Sequence, residues 1–217
     1  MSDPQPVYLS DYQPPAYQVT HTELTFDLDP TATRVKARLT VERHASAEQT
    51  TPLVLNGEHL TLHALAINGQ ALAEADYQLT DETLTIPSVP AAFTLESEVE
   101  ISPSSNTALE GLYQSNGMYC TQCEAEGFRR ITFSIDRPDV MSRYTTTIHA
   151  ERDSCPLLLS NGNLECGGDD EGGRHWARWV DPFPKPSYLF AMVAAHLDCL
   201  EDNFVTASGR QVKLLVY

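Results

Sequence analysis

No stretch of this 217-residue chain approaches the roughly 18 consecutive apolar residues of a membrane-spanning helix, so none of its segments reads as one. The opening Met1-Ser-Asp-Pro-Gln-Pro has neither a basic cluster nor an apolar run, and no signal peptide is legible there. Basic residues are scarce: 14 Lys and Arg stand against 30 Asp and Glu, a formal charge of −16. Such a surface repels phosphate backbones and anionic headgroups, so neither nucleic acid nor a membrane is expected as a partner. The seven histidines are scattered, and no His-Glu-x-x-His occurs among them. His59 and His63 have the separation of a helical pair, but Leu60-Thr-Leu62 between them alternates like a strand. No metal site is therefore expected in this chain. Cysteine is sparse and odd in number, with Cys120, Cys123, Cys155, Cys166 and Cys199 in no regular framework. Free thiols in a reducing, cytoplasmic setting are the expectation. Cys120-x-x-Cys123 lacks the second pair of a zinc knuckle and the βαβ context of a redox motif. A thiol protein built on that pair is a rival that a free-thiol titration addresses.

Sustained helix-period apolar stripes are also missing, which leaves strands as the main element. Leu24, Phe26 and Leu28 alternate with polar neighbours, and after Asp29-Pro30 the pattern resumes with Val35, Ala37, Leu39 and Val41. That pair reads as a hairpin with one wet and one buried face. Ile67-Asn68-Gly69-Gln70 predicts a second hairpin, because Asn-Gly accepts the positive φ angles of a type I′ turn. Phe93, Leu95, Val99 and Ile101 alternate with Glu96, Glu98 and Glu100 on a further strand.

Beyond residue 103 the strands shorten. Ile131, Phe133 and Ile135 read as one of them, and Asp136 before Arg137-Pro138 reads as the cap of a short helix. Gly167 to Gly173 suits a solvated hairpin tip. Pro182, Pro184 and Pro186 exclude a central strand and predict a rigid extended turn leading into an apolar strand from Tyr188 to Ala194. Phe204–Ser208 and Val212–Val216 flank Ser208-Gly209 as a last hairpin, and the chain stops inside an apolar strand at Tyr217. That ending predicts a fragment of a longer protein.

Four segments carry a family resemblance: Asn106-Thr-Ala-Leu-Glu-Gly-Leu-Tyr113, Cys120-Thr-Gln-Cys-Glu-Ala-Glu-Gly-Phe128, Ile131-Thr-Phe-Ser-Ile-Asp-Arg-Pro-Asp139 and Asp181-Pro-Phe-Pro-Lys-Pro-Ser-Tyr-Leu-Phe190. In order and spacing they resemble the amino-terminal domain of the bacterial aminopeptidase N family, zinc metalloaminopeptidases that release amino-terminal residues from peptides. The resemblance implies an all-β fold of twisted, mainly antiparallel sheets, shaped like a saddle. It implies an amino-terminal β domain over residues 1–196, with 197–217 as the first strands of a truncated catalytic domain. Glu124 is then a substrate-binding carboxylate that grips the free amino group, and Gln122 lines the pocket for the first side chain. Partners are the amino terminus of a peptide substrate and the catalytic domain of the same chain. Zinc belongs to the full-length enzyme, with no catalytic residue and no cofactor in this fragment, which alone is expected to be inactive. Glu126 has no implied role and reads as an ion-pair partner, with Arg129 and Arg130 placed to neutralise the acidic cluster. Without the resemblance, a free-standing β-sandwich module for peptide or sugar is the alternative, which a His-Glu-x-x-His downstream of Tyr217 rules out.

Overall fold

The computed structural model describes residues 8–217, so Met1–Pro6, read above for a signal peptide, lies outside the described residues. In chain order the strands begin with β1 (Tyr17–Asp27), β2 (Thr33–Arg43), β3 (Leu53–Asn56), β4 (Thr61–Ile67), β5 (Gln70–Ala71) and β6 (Gln78–Leu79). There follow β7 (Thr83–Ile86), β8 (Ala92–Ile101), β9 (Gly111–Ser115), β10 (Met118–Gln122), β11 (Ser142–Glu151) and β12 (Leu157–Ser160). The last are β13 (Asn163–Asp169), β14 (Arg174–Lys185), β15 (Met192–Ala195), β16 (Leu200–Val205) and β17 (Gln211–Val216). They form an eight-stranded sheet in the order β13-β14-β11-β1-β2-β8-β4-β5, a four-stranded sheet β12-β15-β10-β9, a three-stranded sheet β3-β7-β6 and the separate pair β16-β17. The pairing is antiparallel except between β1 and β11, the parallel pair. The fold is all-β, as the alternation predicts.

The β1–β2 hairpin forms in the expected register, with Leu24 opposite Ala37 and Phe26 opposite Val35. All four are buried, and β8 continues the same face with Leu95 opposite Leu39 and Val99 opposite Val35. On the other face Arg34, Lys36 and Arg38 stand opposite Glu100, Glu98 and Glu96, and cross-strand ion pairs of 3.2–3.9 Å line the solvated surface. Period-two alternation thus sorts core from water residue by residue. Asp29 accepts hydrogen bonds from the Thr31 and Ala32 amides and the Thr31 hydroxyl, closing the turn between β1 and β2. Those bonds hold its carboxyl below the usual range. The Asn68-Gly69 turn has φ of 51° and 76°, the type I′ geometry that its sequence predicts.

Five local expectations are corrected. Ile131 to Ile135 is not a strand: all of residues 131–136 are buried, and its β-pairing among the described residues is limited to the isolated Asn56–Ser134 bridge. Alternation is uninformative where both sides of a segment face protein. Asp136 caps no helix, since a turn follows it; its carboxylate is buried among side chains instead. Pro182 and Pro184 do lie inside β14. They fall after Val180, where pairing with β13 ends, and beside the register shift between Ser142 and Tyr144 on β11, so their missing N–H groups break no ladder. Ser187–Leu189 is a 3-10 turn, and the strand predicted from Tyr188 begins only at Met192. The Gly-rich run of 167–173 is a hairpin tip only from Asp170 onward, because Gly167 to Asp169 still pair with β14.

Candidate functional site

The Gln122–Glu124 step sits where β10 leaves its sheet. β10 is aimed by a tight turn at Asn116-Gly117, whose φ angles of 50° and 83° again suit type I′. This second Asn-Gly signal is plain in the sequence. β15 fixes the other edge of β10: the Met192 amide donates to the Thr121 hydroxyl at 2.9 Å. The strand ends at Gln122, so Glu124 stands in the turn that follows. The two nevertheless meet, the Gln122 side-chain amide donating to the Glu124 carbonyl at 3.1 Å. Both side chains are exposed, while Cys123 between them points inward and is buried.

The chain then turns through Gly127–Arg130, a single 3-10 turn. Gly127 is needed there, because a Cβ would lie 2.4 Å from the Gln122 carbonyl oxygen. Its own amide closes the turn on the Cys123 carbonyl at 2.9 Å. Gly111 packs against the same place with φ of 72°, where a Cβ would meet that of Arg130 at 2.7 Å. Phe128 anchors the turn in an aromatic cluster. Its ring packs edge-on against Phe190 at 5.4 Å and Tyr144 at 6.1 Å, and Phe26 stacks on Phe190 at 6.1 Å. The large sheet, the site turn and the Pro-rich connection thus share one contact.

Charge is distributed unevenly around the turn. Arg129 pairs with Glu126 at 3.3 Å, Glu58 at 3.9 Å and Asp136 at 3.1 Å. Arg130 pairs with Glu58 at 3.0 Å and Glu110 at 3.3 Å. Glu126 is therefore an ion-pair partner, as its sequence context predicts. Glu124 forms no ion pair and no side-chain hydrogen bond among the described residues. Burial pushes the Cys123 thiol up to about 12, which denies it the thiolate that redox or metal chemistry needs. Cys120 is only half-buried and is also a free thiol. No group of three or more His, Cys, Asp or Glu among the described residues is arranged to hold a metal ion.

Residues 13–189 match the family model of the peptidase M1 N-terminal domain. The chain belongs to the M1 peptidase family. Aminopeptidase N of Caulobacter vibrioides is 56% identical over 214 residues, which is 99% of this chain and 24% of that protein. Aminopeptidase N of Escherichia coli is 51% identical over the same shares. Among solved structures, aminopeptidase A of Legionella pneumophila in complex with aspartic acid superposes with a TM-score of 0.89 at 40% identity, covering 95% of this chain and 24% of that one. An M1 zinc metallopeptidase from Deinococcus radiodurans, 16% identical, shares the fold with a TM-score of 0.76 over 92% of this chain and 47% of its own. The chain thus spans about a quarter of the length of the curated relatives it matches. All four segments that carry the resemblance meet around this turn: Gly111 packs against Gly127, Phe128 against Phe190, and Asp136 accepts the Ser187 hydroxyl.

Proposed function

We propose that this chain is the substrate-clamping part of a zinc metalloaminopeptidase that releases amino-terminal residues from peptides. An exopeptidase must accept only chains with a free amino terminus. A fixed carboxylate does so by pairing with the ammonium group, and a blocked or internal site leaves that charge unpaired. The observation that carries the reading is Glu124: its acidic neighbours Glu58, Glu110, Glu126 and Asp136 are engaged by Arg129 or Arg130, whereas Glu124 is exposed and uncommitted among the described residues. Gln122, tied to the Glu124 backbone, lines the space for the first side chain. In this reading the zinc and the hydrolytic groups belong to the part of such an enzyme that this chain does not cover.

Residues 197–217 open the catalytic domain in this reading. The family match ends at residue 189, and β16 and β17 pair with each other in a sheet of their own. The free state of all five cysteines suits a cytoplasmic enzyme. The test is Glu124→Gln in the full-length enzyme, assayed with an alanine amide. A charge-assisted hydrogen bond contributes roughly 1.5–3 kcal/mol, so kcat/KM is expected to fall on the order of ten- to a hundredfold. The melting temperature is expected to stay nearly unchanged, since no folded-state partner of Glu124 is lost. Near-normal kcat/KM in the Gln variant would remove Glu124 from the clamp.

A further inference from the structure

Asp136 lies seven residues after Arg129, in a segment whose backbone forms almost no regular pairing. Its side chain is only 1% exposed. A carboxylate that deep must be compensated in full, and here every contact leads to the site turn or to its supports. Oδ2 accepts both the Arg129 backbone amide and the Arg129 Nε, each at 3.1 Å. Oδ1 accepts the Ser187 hydroxyl at 2.5 Å, from the 3-10 turn that follows the Pro-rich end of β14. The Asp136 amide donates to the Asn56 side chain at 3.2 Å, and the Glu58 amide donates to the Arg129 carbonyl at 3.0 Å. Arg129 in turn carries Glu126, two residues beyond Glu124.

We propose that Asp136 is a positioning residue that fixes the Glu124 turn, acting through Arg129 and braced by Ser187. Glu124 makes no side-chain contact of its own that would hold it, so its place is set by the turn that carries it. That turn is pinned on one side by β10. On the other it is pinned by Arg129, whose guanidinium and backbone amide both end on one buried oxygen. Two donors of one residue converging on a charged oxygen fix direction as well as distance, which a single neutral hydrogen bond in the same place does not. The inference rests on the reading of Glu124 as the amino-terminal clamp for its functional consequence, though not for its structural one.

Two measurements separate those consequences. In the chain itself, hydrogen exchange over residues 123–130 and alkylation of Cys123, located by peptide mass, report opening of the turn. Asp136→Asn is expected to speed both about ten- to a hundredfold, the change in local opening that follows loss of a charge-assisted hydrogen bond, while β1 and β2 exchange as before. Ser187→Ala is expected to act in the same place and less strongly. Unchanged exchange over 123–130 in both variants, or an equal rise throughout the domain, overturns the proposal. If the Asp136 variant does not fold, Ser187→Ala decides alone by the same criterion. In the full-length enzyme Asp136→Asn is expected to raise KM for an alanine amide more than it lowers kcat, and to add nothing on a Glu124→Gln background. Additive losses in the double variant overturn positioning through Glu124. Normal kinetics of Glu124→Gln by itself instead removes the clamp reading and leaves the exchange result standing.

Discussion

Cys123 gives the turn an inward anchor opposite in character to its flanking residues. Gln122 and Glu124 face water, while the thiol between them is buried and pushed up to about 12 by that burial. Tyr119, on β10 just before the turn, is likewise pushed up to about 12, again chiefly by burial. Both groups hold their protons more tightly in the folded chain than in the unfolded one. Their contribution to stability is therefore complete below the ordinary values of 9.0 and 10.0 and is lost as pH rises toward about 12. The melting temperature is expected to fall across that alkaline window. Cys123→Ala is expected to flatten the fall while costing about 1 kcal/mol at neutral pH. Thermal melts of both proteins at several alkaline pH values check this, and equal slopes would show that Cys123 is not the titrating group.

Elements meet around the site through aromatic side chains more than through strand pairing. Phe128 belongs to a four-residue 3-10 turn with no ladder to hold it, yet it is among the most deeply buried side chains. Its neighbours Tyr144 from β11 and Phe190 from the connection before β15 fix that turn against the large sheet. Lys185 adds to the cluster, its ammonium 4.1 Å from the Tyr144 ring centroid and 2.7 Å from the Asp181 carboxylate. Burial lowers its pKa, and the Asp181 partner opposes that shift. Truncating a buried aromatic to Ala costs about 3–5 kcal/mol, so Phe128→Ala is expected to lower the melting temperature on the order of 10 °C. Denaturant titration measures the energy directly. A loss under about 1 kcal/mol would mean that the backbone alone defines the turn.

At the scale of the whole molecule, the β16–β17 hairpin stands apart from the common core. Leu200, Phe204, Val205, Leu214, Leu215 and Val216 are all exposed, on a pair of strands whose outer edges are unpaired. Apolar surface beside an open strand edge promotes association. Sedimentation of the isolated chain is expected to show concentration-dependent self-association, and removal of residues 197–217 is expected to abolish it. The shortened chain should melt within a few degrees of the original, because the hairpin contributes no residue to the main core cluster. A large drop in melting temperature on shortening would make the hairpin part of the domain.

Residues facing water on one side and the core on the other were legible from the sequence alone. That covers β1, β2 and β8, whose two-residue period states burial directly, and the turn at Asn68-Gly69, where backbone chirality favours one residue pair. Family membership was also carried by local segments. Only the tertiary structure decided what happens where both sides of a segment are covered. Ile131 to Asp136 has a strand's pattern without a strand, and Pro182 and Pro184 lie in a strand because their neighbour has already ended. Asp136 shows the limit most plainly. Its local sequence suits a helix cap, but a buried carboxylate takes the donors that packing brings to it, and Arg129 and Ser187 come from opposite sides along the chain.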